Sequence, residues 1–405
     1  MKIMAEDEAL TPALQGFLAK WHPECMTPRM LQRTLRGQFS PCRILCLGKA
    51  APGLARAAAG LWPGVPGLAY GTAQEGEMPS SFEWLEGDHP FPTPRNLDAT
   101  GAVERWVAEG EGPMLACVSG GGSALLVHPR PPWTLAMKVE ATRTLWQKGA
   151  PIRDLNALRA RLSEVKCGGL RFLAGRWPVV TALWSDVGPR QASHVSSGPT
   201  LVSSLSRSAD EVVRRYGLSL PQPLPPRPPA VRRNALDRAF LLCDGVVLRR
   251  ACAAWLRDRG ASVREVWSAE GTPARDLASR IVDLAADVRG RPRAFVGSGE
   301  VQVEVPAQAG GGGRCTHLTA EVALAFSRKR VHKRWTFAAM ATDGVDGTAG
   351  GGAWTGSVRV PTAEALSESI ASFDTASLWA REGTLVPRRP TGNNLRDLWV
   401  LVVVP

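Results

Sequence analysis

Short apolar runs recur along the chain, most of them closed by glycine or a polar cluster. Too short for buried helices, the runs at 43–47, 114–118, 179–184, 239–242, 294–296, 301–305, 336–341 and 398–404 predict strands. Between several of them the spacing turns helical, over 50–61, 135–148 and 318–326. A strand–loop–helix rhythm of this kind predicts an α/β protein with largely parallel sheets, in which ligands bind at the carboxyl ends of the strands. The stretch 221–229, reading PQPLPPRPP, is too rich in proline for a helix or central strand. It predicts a first domain over 1–220, a linker over 221–234 and a second domain over 235–405. The Ala-, Leu- and Arg-rich segment 244–285 predicts one or two amphipathic helices, and no internal repeat is visible.

Composition narrows the class. The 405 residues are 44% hydrophobic and 21% charged, ordinary for a globular protein of two or three domains. No apolar run approaches the ~20 residues needed to span a bilayer. The start carries Glu6, Asp7 and Glu8 in place of a basic-then-apolar leader, so neither a membrane nor a secreted protein is expected. Eight cysteines without a CxxC pair, several among small apolar neighbours, predict free buried thiols in a cytoplasmic protein. The net charge of +12 comes largely from scattered Arg, which suits a small anionic substrate and does not point to nucleic acid. Only eight of the 49 basic residues are Lys, so a Lys inside a glycine-rich motif asks for a specific explanation.

Such motifs follow several of the predicted strands. Gly48-Lys49-Ala50-Ala51 follows 43–47 and opens a helix, where small residues let backbone approach an anion and Lys49 can reach it. It is no Walker A loop, because Ala50 stands where a hydroxyl is required. Ser119-Gly120-Gly121-Gly122-Ser123 follows 114–118 and offers amides clear of Cβ atoms, with two hydroxyls, as a nest for phosphate oxygens. It is not the GxGxxG of dinucleotide folds. In NALRARLSEVKCGGL at 156–170, Arg159 and Lys166 lie two helical turns apart and share a face. Asp186 follows the 179–184 run, where a carboxylate can hold Mg²⁺ or take a proton from a hydroxyl. Further on, the glycines around Glu300 and those leading into Arg314 suit an anion, while Asp343 and Asp346 flank a glycine in a pattern equally good as a plain turn.

In this order the segments resemble the class II glycerate kinases, the family carrying the MOFRL domain. The resemblance rests on GKAA (48–51), GDHPFP (87–92), SGGGSALL (119–126), NALRARLSEVKCGGL (156–170), SDV (185–187) and SSGPT (196–200) in the first part. GSGE (297–300), GGGR (311–314), TDGVDGT (342–348) and TGNNLRDL (391–398) carry it through the second. It implies two three-layer α/β/α domains with largely parallel or mixed sheets and an active site in the interdomain cleft. It also implies transfer of the γ-phosphoryl group of ATP to D-glycerate or a related small hydroxy acid, with 2-phosphoglycerate as product and Mg²⁺ as metal. Carried over by position, Lys49, Arg314 and Asp186 are the catalytic groups. Ser119, Gly120, Gly121, Gly122, Ser123, Lys166 and Glu300 fall to the nucleotide phosphates, His89, Arg159 and Asn393 to the substrate cleft, and Asp186, Asp343 and Asp346 to the metal. The implied partners are the hydroxy acid and the nucleotide, with a homo-oligomer left open.

Three stretches depart from the family pattern. Gly188-Pro189-Arg190-Gln191 replaces a glycine–acidic stretch, Cys315-Thr316-His317 replaces Asn-Gln-Glu, and Leu395-Arg396 replaces Val-Asn. Losing acid while gaining Arg190 and His317 is expected to weaken a Mg²⁺ site and strengthen an anion site. The alternatives are a weakly active homologue that binds an anion and, disfavoured by the missing GxGxxG, a hydroxypyruvate reductase-type oxidoreductase.

Overall fold

The computed structural model describes residues 9–35, 37–74, 76–187, 189–201, 208–225 and 234–405. The chain divides into two compact units, one spanning Pro23–Leu242 and the other made of residues 9–22 with Cys243–Pro405.

The Pro23–Leu242 unit is built on a six-stranded sheet of order β3-β2-β1-β4-β5-β6. Its strands are β1 (Arg43–Leu47), β2 (Gly67–Gly71), β3 (Phe82–Glu86), β4 (Met114–Ser119), β5 (Val179–Trp184) and β6 (Arg238–Cys243). All pairings from β3 through β5 are parallel. β1, β2, β4 and β5 are buried along their whole length, which is why β1, β4 and β5 read as continuous apolar runs. Leu45 and Leu47 of β1 share a core with Leu68, Tyr70, Met114, Ala116 and Val118, and Ala99, Val103 and Val107 of the helix Pro94–Glu109 close it. The opposite side chains of β1, Ile44 and Cys46, are equally buried, and the Ala-rich helix Ala51–Leu61 packs on the sheet there. Chain order reverses between β1 and β4, and that switch point is where open α/β sheets bind ligands. A separate helical cluster joins Leu135–Gln147, Ile152–Arg161 and Ala209–Tyr216 through Leu145, Leu155, Leu158 and Val212.

The second unit carries the order β11-β10-β9-β12-β8-β7. Its strands are β7 (Ser262–Ser268), β8 (Arg293–Ser298), β9 (Arg334–Ala341), β10 (Gly352–Gly356), β11 (Leu385–Val386) and β12 (Asp397–Val404). Only β7 and β8 pair in parallel; β8–β12, β12–β9, β9–β10 and β10–β11 are antiparallel. The helices Ala274–Ala286 and Arg314–Lys329 share a core with Phe295, Phe337, Trp399 and Leu401. The helix Gly245–Arg257 also packs on β7 and β8, and Phe17 of the helix Leu10–Lys20 meets its Trp255 ring at 5.3 Å.

Several expectations are corrected. The 301–305 run alternates like a strand but forms a single bridge, Gln302 to Pro273, because the partner chain turns into a helix at Ala274 and offers no further ladder. Val301 is buried while Val305 is 59% exposed. The 244–285 segment holds two helices with β7 between them, and the second sheet is mainly antiparallel. The chain passes between units after β6 rather than at the proline run, of which residues 226–233 lie outside the described residues. Asp237 explains the shift, because it ion-pairs with Arg171 at 2.6 Å and accepts the Val179 amide at 2.8 Å, fixing β6 to the first sheet. All eight cysteines are free, but Cys25 and Cys42 are exposed. Among the described residues no helix is long and apolar enough to cross a membrane.

Candidate active site

At the β1/β4 switch point two loops are bonded to each other. Ser119 Oγ donates to the Leu47 carbonyl and accepts the Ala50 amide, each at 3.0 Å, and the Lys49 amide donates to the Gly120 carbonyl at 2.9 Å. Gly48 has φ +104°, and a Cβ there would fall 2.5 Å from the Ser119 carbonyl oxygen, so only glycine fits the crossing. Gly121, at φ +89°, lies so close that a Cβ would stand 2.9 Å from Lys49 Cγ, which places the stem of Lys49 across the glycine loop. The amides of Gly121, Gly122 and Ser123 donate to no protein acceptor among the described residues. Amides left open beside a cation are what an anionic ligand requires.

A serine network holds the loop from behind. Ser196 Oγ donates to the Ser119 carbonyl at 2.5 Å, Ser123 Oγ meets Ser197 Oγ at 2.8 Å, and Ser197 Oγ donates to Asn156 Oδ1 at 3.0 Å. Ser196 and Ser197 both hold positive φ, +51° and +61°, a conformation that non-glycine residues seldom adopt outside functional sites. Lys166 is 2% exposed and donates to the Ser123 carbonyl at 2.8 Å. Arg159 and Lys138 are its charged neighbours: burial lowers the proton affinity of all three, Arg159 lowers Lys138 further, and both of them lower Lys166. Lys138 is pushed down to about 7 and Arg159 to about 10. No carboxylate is among the groups acting on these three.

In the second unit Arg314 opens the helix Arg314–Lys329 and pairs with Glu300 at 2.8 Å and Asp397 at 3.6 Å. Burial, with Glu300 beside it, holds the Asp397 carboxyl well above the usual range, and Asp346 and Asp343 add to the effect. Three carboxylates, Glu300, Asp397 and Asp346, thus act on one Arg. Asp346 spends its oxygens on the helix start, accepting the Cys315 amide at 2.9 Å and the Thr316 amide at 2.8 Å. Among the described residues no three acidic, His or Cys side chains converge as metal ligands. Mg²⁺ is usually held by one or two carboxylates plus substrate phosphates. Asp186 and Asp343, each half-buried just beyond a strand, fit that mode, and Asp346, already a cap, does not. Asp346→Ala is accordingly expected to cost about 1–3 kcal/mol of stability with or without Mg²⁺, since buried amides lose their acceptor. A melting-temperature loss seen only in the presence of Mg²⁺ would instead make Asp346 a ligand.

Comparison with known proteins adds the lineage. Residues 9–226 match the family model of a domain of unknown function (DUF4147), and residues 293–397 match the MOFRL family. The chain belongs to the class II glycerate kinase family. A putative hydroxypyruvate reductase of Agrobacterium vitis is 31% identical over 70% of this chain and 78% of its own length. The D-glycerate 2-kinase of Thermotoga maritima is 27% identical over 89% of the chain and 90% of its own. The crystal structure of the Thermotoga maritima glycerate kinase shares the fold, with a TM-score of 0.80 at 22% identity over 98% of this chain and 100% of that one.

For a member of this family, the expected residues are placed unevenly. Lys49, the 119–123 loop, Lys166 and Arg159 gather in the first unit, and Arg314 and Glu300 meet in the second. His89 is exposed beside Pro90. Asn393, expected in the substrate cleft, is 2% exposed, donates to the Trp21 carbonyl at 3.1 Å and accepts the Asn394 amide at 2.8 Å. The departures change meaning too. Gly188 and the side chains of 189–192 lie outside the described residues. His317 stacks on Phe373 at 5.2 Å, and burial, with Arg275 nearby, lowers it to about 4. It is neutral at pH 7 and adds no positive charge. Arg396 pairs with Glu270.

Sequence reasoning missed Lys138, Asn156, Ser196, Ser197 and Asp397. Lys138 was within reach: with Ala141 and Leu145 it forms the buried stripe of the helix Leu135–Gln147, and a Lys on such a stripe is anomalous.

Proposed function

We propose that this protein is an ATP-dependent kinase that phosphorylates D-glycerate, with 2-phosphoglycerate as product. The observation that carries the reading is Lys49 lying across a glycine loop with open amides at the β1/β4 switch point. Phosphoryl transfer asks little covalent chemistry of a protein and much charge neutralisation and alignment. The acceptor hydroxyl oxygen bonds to the γ-phosphorus as the bond from that phosphorus to the β–γ bridging oxygen breaks, and ADP departs. Lys49 and the amides of 121–123 suit the developing charge on the phosphoryl oxygens, and Asp186 suits the hydroxyl proton. Mg²⁺, held by Asp186 or Asp343 together with nucleotide phosphates, would neutralise phosphate charge when bound.

The name carried by the Agrobacterium relative prompts a second assay. Purified protein with ATP, Mg²⁺ and D-glycerate is expected to release ADP, with glycerol giving background release, and phosphorus NMR of the product identifies the esterified carbon. NAD(P)H with hydroxypyruvate is expected to stay unoxidised, since the β1 loop lacks the dinucleotide glycine pattern. ADP release absent while NAD(P)H is consumed would reverse the assignment.

A further inference from the structure

Beside the glycine loop, the first unit contains a small cavity with a mixed lining. Pro90, Phe91, Val127 and Trp146 line it together with Lys138, Arg159 and the loop residue Ser123. Its volume is about 40 Å³, room for a few water-sized groups. Phe91 and Trp146, both lining it, meet edge to face at 5.9 Å and are each more than 40% exposed. Lys138 is 5% exposed and its Nζ has no hydrogen-bond partner. Arg159 likewise has no hydrogen bond or ion pair among the described residues. Lys166, the third cation, is already committed to the Ser123 carbonyl.

A buried ammonium without an acceptor is among the least favourable arrangements in a protein, because neither water nor a counter-charge replaces its hydration. Two buried basic groups at one small cavity form an arrangement that a bound anion would complete, holding Lys138 in its charged form. Size and lining choose the anion. A nucleotide does not fit about 40 Å³, and walls of Pro, Phe, Val and Trp suit a short carbon skeleton better than a second phosphate. Arg159 can take a carboxylate through two parallel bonds, and Lys138 adds a point charge.

We propose that this cavity is a carboxylate-binding subsite, in which Lys138 and Arg159 hold the carboxylate of a short 2-hydroxy acid. Naming that acid as the phosphoryl acceptor rests on the kinase reading above; the carboxylate chemistry of the cavity does not. Lys138 is then a specificity-determining residue that touches substrate, and the bond from Lys166 to Ser123 joins the subsite to the glycine loop.

Calorimetric titration of the full chain with D-glycerate and with D-lactate, without nucleotide, tests the subsite apart from turnover. Binding of at least one of these acids is expected, with glycerol, which lacks the carboxylate, giving none. Lys138→Met and Arg159→Met are each expected to weaken that binding about 10- to 100-fold, as for other charge-assisted contacts, and to leave the affinity for ATP within twofold. Where turnover is measurable, KM for the hydroxy acid rises by a similar factor and KM for ATP does not. Carboxylate binding that depends on Lys138, in a protein that releases no ADP, upholds the subsite and removes the kinase. Normal ADP release with KM for D-glycerate unchanged in both folded variants overturns the subsite and keeps the kinase. A loss of ATP affinity in place of acid affinity also overturns it, assigning the cavity to a nucleotide phosphate.

Discussion

A Lys49→Ala variant is expected to release ADP from ATP and D-glycerate at least about 100-fold more slowly than the parent, with an unchanged melting temperature. Removing one preorganised electrostatic contact to developing charge commonly costs that much. Stability should hold because the bonds that fix this loop use the Lys49 backbone amide and the Ser119 hydroxyl, both of which survive the substitution. Steady-state ADP release and thermal unfolding of the same preparation check both halves. Turnover within a few-fold of the parent would take Lys49 out of phosphoryl transfer. A large drop in melting temperature would make it a structural lysine.

Lys138→Met is expected to do the opposite to stability: the variant should unfold about 1–4 kcal/mol less readily at pH 7 while losing its hold on the hydroxy acid. The reason lies in the proton balance. Burial, then Arg159, takes Lys138 from an ordinary 10.5 down to about 7. Between those values the unfolded chain binds the proton and the folded chain does not, so stability is fully present above about pH 10.5 and is lost as pH falls toward 7. Below that the lysine is charged in both states and the full desolvation cost remains. Replacing such a charge with an apolar side chain of similar length commonly stabilises by this amount. The advantage of the Met variant should therefore be largest at and below pH 7 and shrink toward pH 10. Arg159 depresses the same ammonium, Lys138 in turn depresses Lys166, and the His128–Glu104 pair stands nearby; these groups are present in both proteins, so the difference between melting curves reads the replacement of Lys138. A pH-independent difference, or a less stable variant, would mean that Lys138 is not a buried, partly neutral base. Saturating D-glycerate should narrow the gap by stabilising only the parent.

Chain pattern alone determined much of this protein. The buried strands β1, β4, β5, β8, β9 and β12 announce themselves as unbroken apolar runs, since both faces of a central strand are covered. The glycine loops after β1, β4 and β8 are equally local, because positive φ and close backbone approach leave few other residues possible. Less visible were β2 and β10, whose glycines and small residues take their strand state from neighbours rather than from propensity. The antiparallel majority of the second sheet depends on which strands meet, information that no run of side chains contains. Tertiary structure also decided what each charge does. Asp346 and Asp343 look alike in TDGVDGT, yet Asp346 becomes a helix cap because the start of Arg314–Lys329 is brought to it. His317 is neutral because Phe373 and the surrounding core exclude water. Lys138, Arg159 and Lys166 are spread over 29 residues of sequence and become one cationic cluster only when two helices and the loop after them pack. Sequence supplied the types of group and their local turns; burial and long-range proximity, which set solvation and mutual field, exist only in the folded chain.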